Sequence, residues 1–144
     1  MILLVDDFRD GATAFCAMLK LDGYPCEWVG SGAEALASIR AHPPEQPLLV
    51  VLDEMMPEMN GVELLRQLRA EPRTISTPVL FLSAGFDLAK RDEAMTLGAL
   101  AWLLKGGIDV RGVIREVETW YERVGGAKQN QPRTELPSRK SNQT

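Results

Sequence analysis

No stretch of the chain stays apolar for the roughly 20 residues that a helix needs to cross a bilayer. The amino-terminal MILLVDDF reaches its paired acids at Asp6 and Asp7, so it lacks the basic opening, long apolar stretch and small-residue cleavage site of a secretory leader. A cytoplasmic protein is expected. Cysteine is scarce, with only Cys16 and Cys26, outside any Cys-x-x-Cys spacing and with one histidine, His42, to join them. Neither a zinc site nor a disulfide framework is indicated, and both cysteines are expected as small buried apolar residues. His42 lies in the polar run AHPPEQP and reads as a surface-loop residue. No internal repeat is visible.

What is present is an ordinary globular composition, 45% hydrophobic and 25% charged, over 144 residues. That length accommodates one domain with a substantial core and a short appendage. The formal charge of −4 hides an asymmetry: residues 125–144 carry four basic groups against Glu135 alone, leaving −7 on residues 1–124. An acidic body excludes direct nucleic-acid binding by the fold, which would need basic groups on phosphates.

Short apolar runs alternate with segments of helical period, the signature of repeated βα units forming a doubly wound parallel sheet covered on both faces. Strands are expected at Ile2–Val5, Cys26–Val29, Leu48–Leu52, Val79–Leu82 and Ala101–Leu104. The first helix shows an apolar face of Ala14, Phe15, Met18 and Leu19, with Gly23 as its stop. Ser31 and Glu34 fit a capping box ahead of Ala35, Leu36 and Ile39. Gly61 opens a helix carrying Val62, Leu65 and Leu68, with Pro72 beyond its end. The fourth helix, Asp87 to Leu97, has only Leu88, Ala94 and Leu97 as anchors, which implies low local stability. The last is the most regular, with one stripe from Val110 through Val113, Ile114, Val117, Trp120 and Tyr121 to Val124. From Lys128 the polar run KQNQPRTELPSRKSNQT has a single aliphatic residue, Leu136, so residues 125–144 are expected to form a flexible tail or linker beyond a domain at 1–124.

In an open parallel sheet, ligands bind beyond the carboxyl ends of the strands. The first strand runs into Asp6 and Asp7, the third into Asp53, the fourth into Ser83 and the fifth into Lys105. Any one polar strand end is an ordinary turn or cap residue, but four together form a pattern. Three carboxylates at one edge repel unless a cation sits among them. Hard oxygen ligands suit Mg²⁺, which keeps several waters and takes phosphate oxygen as a further ligand. Lys105 adds a point charge and Ser83 a hydroxyl donor, an arrangement suited to a dianionic phosphoryl group and its metal.

These residues, in the runs ILLVDD, VVLDEMMPEMNGVELL, FLSA and LGALAWLLKG, resemble the response-regulator receiver family over residues 1–124. The resemblance implies a flavodoxin-like (βα)5 fold with strand order 2-1-3-4-5. It makes Asp53 the phosphoacceptor, attacking the phosphohistidine of a sensor histidine kinase or phosphotransfer protein. Asp7, Asp53 and the Met55 backbone carbonyl would bind Mg²⁺, with Asp6 acting mainly through water. Ser83 and Lys105 would hold the phosphoryl oxygens, and Trp102 occupies the aromatic switch position. A downstream protein target would dock on the face of the fourth helix, fifth strand and fifth helix.

Three departures stand out. Gly106 follows Lys105 where the family usually has a cis proline, and a cis bond without proline costs about 2.5 to 4 kcal/mol, so this bond is trans or strained. Trp102 replaces the usual Tyr or Phe and reads also as a large core residue. Leu100 and Ala101 replace acids that many DNA-binding members use in a charged dimer contact, so a homodimer through that face is left open. Two other readings are weighed. A haloacid-dehalogenase-type phosphatase would need a second Asp two residues after the nucleophile, where Met55 stands and cannot transfer a proton. A non-phosphorylated docking module is opposed by the retained Asp6, Asp7, Asp53, Ser83 and Lys105. No enzyme acting on a small substrate is expected.

Overall fold

The structure, a computed structural model, describes residues 1–106 and 109–129. Five strands alternate with five helices: β1 Ile2–Val5, α1 Arg9–Leu21, β2 Cys26–Val29, α2 Gly32–Ala41, β3 Leu49–Leu52, α3 Gly61–Ala70, β4 Val79–Ser83, α4 Leu88–Thr96, β5 Trp102–Leu104 and α5 Val110–Arg123. The strands pair in parallel in the order β2-β1-β3-β4-β5. The expected flavodoxin-like doubly wound fold is therefore present. Because β1 lies between β2 and β3, the chain reverses direction across the sheet there and opens a crevice at their carboxyl ends.

Every residue of β1, β3 and β4 is buried, as strands covered on both faces require. Alternation then sorts the core into two layers. Leu3, Val5, Val50, Leu52 and Phe81 pack under α2, α3 and α4. Ile2, Leu4, Val51, Leu80 and Leu82 pack under α1 and α5.

Several local expectations shift. Leu48 precedes β3 and Ala101 precedes β5, while Ser83 belongs to β4 as its last residue. The buried face of α1 is Ala12, Cys16 and Leu19 with Phe15 and Met18 at its edge, and Ala14 points to solvent. Along α5 the stripe buries Val113, Ile114, Val117 and Tyr121, but Val110 is exposed at its first turn. Ser31 does cap α2, accepting from the Glu34 N–H at 3.2 Å, but the Glu34 carboxylate accepts from Gly30 rather than from the cap residue. The reciprocal capping box lies instead at α3, between Asn60 and Glu63. Gly61 is required at the start of that helix, since a Cβ there would stand 2.6 Å from the Asp53 carbonyl oxygen and 2.7 Å from the Phe81 ring.

The cysteines correct a stronger expectation. Both are buried, but they are joined as a disulfide between α1 and β2, with Cα atoms 5.6 Å apart. The helix lies directly on β2, and ten residues of chain return Cys26 beneath Cys16. Spacing along the sequence carries no sign of that apposition.

The segment after α5 also departs from its expectation at its start. The Gln129 N–H donates to the Gly23 carbonyl at 2.7 Å, and the Lys128 ammonium sits 5.9 Å from the centre of the Tyr24 ring. Residues 125–129 thus run back along the α1–β2 turn; the rest of the expected tail lies outside the described residues.

Candidate functional site

Asp6, Asp53 and Lys105 are each held by the sheet's hydrogen-bond ladder one step beyond their strands, Ser83 is the last residue of β4, and Trp102 lies within β5. The Asp6 N–H donates to Val29 at 3.2 Å, that of Asp53 to Val5 at 2.9 Å, and that of Lys105 to Ser83 at 2.7 Å. The pleat therefore brings residues 47 and 99 positions away from Asp6 to one edge. Asp6 and Asp53 are buried, whereas Asp7 is exposed at the mouth of the crevice. One carboxylate oxygen from each of Asp6, Asp7 and Asp53 lies within 4.8 Å of the others.

Lys105 compensates part of this charge. Its ammonium donates to the Asp6 Oδ2 at 2.6 Å and lies 3.6 Å from the Asp53 Oδ1. Asp6 is further fixed by the Phe8 N–H, which donates to its Oδ1 at 2.9 Å. Asp53 remains in electrostatic excess: its pKa is pushed up to about 6. Burial is the largest cause, with Asp6 and Asp7 adding repulsion, while Lys105 and the Met55 N–H act in the opposite direction. A carboxylate so placed gains from any cation brought among the three acids. The all-oxygen donor set, with solvent access past Asp7, fits a hard divalent ion that retains water.

Ser83 is buried, with its Oγ accepting from the Gly85 N–H at 3.3 Å. Among the described residues all peptide bonds are trans, including that between Lys105 and Gly106. The Met55 side chain is 72% exposed, while its neighbours Glu54 and Met56 are buried and anchor the loop that carries its carbonyl. Trp102 stacks on Phe81 with ring centres 5.0 Å apart and 17° between planes, and its indole N–H is buried without a partner among the described residues. The side chain is partly buried and packs against the core layer under α2, α3 and α4.

Sequence reasoning passed over two residues beside this cluster. Glu54 is buried next to Asp53, accepts from the Val62 N–H at 3.2 Å and lies 3.5 Å from Lys90 of α4. Burial raises its pKa, with Lys90 opposing. Trp28 of β2 donates from its indole to the Asp6 carbonyl at 2.7 Å. Neither had a periodic signal, since each acts through tertiary contacts.

Two cavities flank the sheet. One of about 550 Å³ lies at the amino-terminal ends of the strands between Pro47, Pro78 and His42, far from the carboxylates. His42 is a loop residue there, its Nε2 3.2 Å from the Gln46 carbonyl oxygen. The other, about 250 Å³, adjoins Asp6 and Lys105 and is walled by Phe8, Phe15, Leu82 and Val113.

An acidic crevice at the switch point of a five-stranded doubly wound sheet defines the class of site, and comparison with known proteins narrows it. Residues 2–113 match the family model of the response regulator receiver domain. The chain is 31% identical over 137 residues to the transcriptional regulatory protein CpxR homolog of Haemophilus influenzae, covering 95% of this chain and 57% of that protein. It is 36% identical over 104 residues to the response regulator MprA of Mycolicibacterium vanbaalenii, covering 72% of this chain and 43% of that protein. The receiver domain of Francisella response regulator 1452 superposes with a TM-score of 0.71 at 29% identity, covering 85% of this chain and 96% of that one. The chain belongs to the response regulator receiver domain family of two-component systems. It spans about half the length of the curated relatives it matches.

Proposed function

We propose that this receiver domain takes a phosphoryl group onto Asp53 from the phosphohistidine of a sensor histidine kinase or phosphotransfer protein, in a Mg²⁺-dependent reaction. The observation that carries this reading is the convergence of Asp6, Asp7 and Lys105 on the buried Asp53. Asp7, Asp53 and the Met55 carbonyl would hold the ion directly and Asp6 mainly through water. When bound, the ion would supply positive charge to the acids and to the phosphoryl oxygens. Asp53 attacks phosphorus in line as its anion, the P–N bond to histidine breaks, and the imidazole leaves with the electron pair. Lys105 turns from Asp6 toward the new phosphoryl oxygens, and the Ser83 hydroxyl donates to another.

The bond to Ser83 draws that residue toward Asp53 and opens space behind it, which biases the β4–α4 loop, α4 and Trp102 toward a second packing. The face of α4, β5 and α5 then changes its surface for a downstream protein target. Leu88 and Leu104 are exposed there. The phosphorylated domain is residues 1–124, the output is a binding event, and no nucleic acid or membrane is contacted by this domain.

No helix among the described residues is long and apolar enough to cross a membrane. A kinase donor puts the domain in the cytoplasm, where Cys16 and Cys26 would be held as thiols, so the disulfide belongs to the oxidised protein. Incubation with acetyl phosphate and Mg²⁺, followed by intact mass, tests the reaction. One added phosphoryl group, lost when the ion is chelated, is expected; unchanged mass under both conditions overturns the proposal.

A further inference from the structure

The two acids after β1 are held very differently. Asp6 is anchored through both carboxylate oxygens, by Lys105 at 2.6 Å and the Phe8 N–H at 2.9 Å, and through its own N–H to Val29. Asp7 is exposed, and among the described residues no hydrogen bond ties its carboxylate. Its direction is therefore set by the backbone, above all by the peptide plane shared with Asp6. One side chain grips that plane: the Trp28 indole N–H donates to the Asp6 carbonyl at 2.7 Å.

Trp28 is well supported for this task. It stands opposite Leu4 in the parallel register and packs on the α1 and α5 layer of the core. Gly30 leaves room for the ring, because a Cβ there would come within 3.2 Å of it. The indole is thus a rigid donor braced by the edge strand and directed at a loop that carries two of the three acids.

We infer that Trp28 is a positioning residue for the cation site, fixing the Asp6–Asp7 peptide through its indole N–H and so preorganising Asp7 for a divalent ion. The inference rests on the reading of Asp6, Asp7 and Asp53 as Mg²⁺ ligands. Groups that orient metal ligands from outside the coordination sphere typically change affinity by about 10–100-fold when removed. A single neutral hydrogen bond to a backbone carbonyl belongs at the low end of that range.

The experiment is calorimetric titration of the full chain with Mg²⁺, for the wild type and Trp28→Phe, alongside their melting curves in chelator. The expected result is a Kd raised about tenfold in the variant. A residue that served only the core would lower the melting temperature and leave the Kd unchanged, and that outcome overturns the inference. Wild-type protein that takes up no Mg²⁺ would sink the metal reading and the inference with it. If Trp28→Phe fails to fold, the wild type still decides: its Trp28 indole N–H resonance, followed by ¹⁵N–¹H correlation spectroscopy, should shift as Mg²⁺ saturates the site. A resonance unmoved at saturation rejects the role.

Discussion

Burial and two neighbouring acids raise the Asp53 carboxyl from its ordinary 3.8 to about 6, even with Lys105 beside it. The folded chain therefore binds more protons than the unfolded chain between these values. Stability falls as pH rises through that window and stays reduced above it. In metal-free protein Asp53→Asn should consequently raise the unfolding free energy at pH 7.5 by on the order of 1–2 kcal/mol. The gain should vanish below about pH 3, under the ordinary 3.8, where the wild-type carboxyl is protonated in both states. Urea unfolding in chelator at the two pH values checks this; a variant less stable than wild type at pH 7.5 would show that Lys105 outweighs desolvation.

Cys16 and Cys26 provide a second test at this scale. Closing a loop of ten residues restricts the unfolded chain and contributes about 2–3 kcal/mol. Replacing both cysteines by alanine should destabilise oxidised protein by at least that amount, and equal denaturation midpoints before and after reduction of the wild type would argue against a bridge in solution. The contrast between these residues shows what a sequence displays. Asp6, Asp7, Asp53, Ser83 and Lys105 were legible because polar residues that end apolar strands must gather at one sheet edge. The disulfide, Glu54 and Trp28 were not, because each depends on how a helix or an edge strand sits on its neighbour.

At the scale of elements, α4 is the helix least tied to the core. Ala94 is its only buried residue, and Leu88, expected as an anchor, is 57% exposed. Polar contacts take over part of that work: Lys90 reaches the buried Glu54, and Glu93 pairs with Arg66 of α3. Lys90→Met leaves the Glu54 carboxylate without its cation and should cost about 1 kcal/mol, since an uncompensated buried polar group is penalised. Amide exchange should quicken in α4 more than in the sheet. Glu54→Gln in the same chain should recover much of the loss, and a double-mutant cycle with no coupling would show the pair to be incidental. The weakness of α4 could be read from its few apolar positions. Its substitute anchors could not, because Glu54 belongs to the loop after β3 and meets Lys90 of α4 only in the folded chain, 36 residues apart in sequence.

For the whole molecule, the domain boundary has a physical marker that composition alone did not reveal. Residues 125–129 pack back on the α1–β2 turn through Gln129 and Lys128. A chain ending at Gln129 should therefore melt like the full chain. One ending at Val124 should melt a few degrees lower, having lost the bond to Gly23 and the contact with Tyr24, at about 1 kcal/mol for the hydrogen bond. Both should be phosphorylated alike, since the contact lies at the opposite end of the sheet from Asp53. A fall in labelling with the shorter chain would couple the two ends. The strand order and two-layer core followed from the alternation of apolar runs and helical periods, whereas a polar segment with one aliphatic residue carried no sign of where it first touches the fold.

The central claim is that Asp53 itself receives the phosphoryl group. An acyl phosphate is reduced by borohydride, which converts the phosphorylated aspartate to homoserine, whereas a free carboxylate does not react. Protein treated with acetyl phosphate and Mg²⁺, reduced in this way and mapped by peptide mass spectrometry should show homoserine at position 53 and nowhere else, with none formed in chelator. Unmodified Asp53 in protein that carries the label, or homoserine at Asp6 or Asp7, would contradict it.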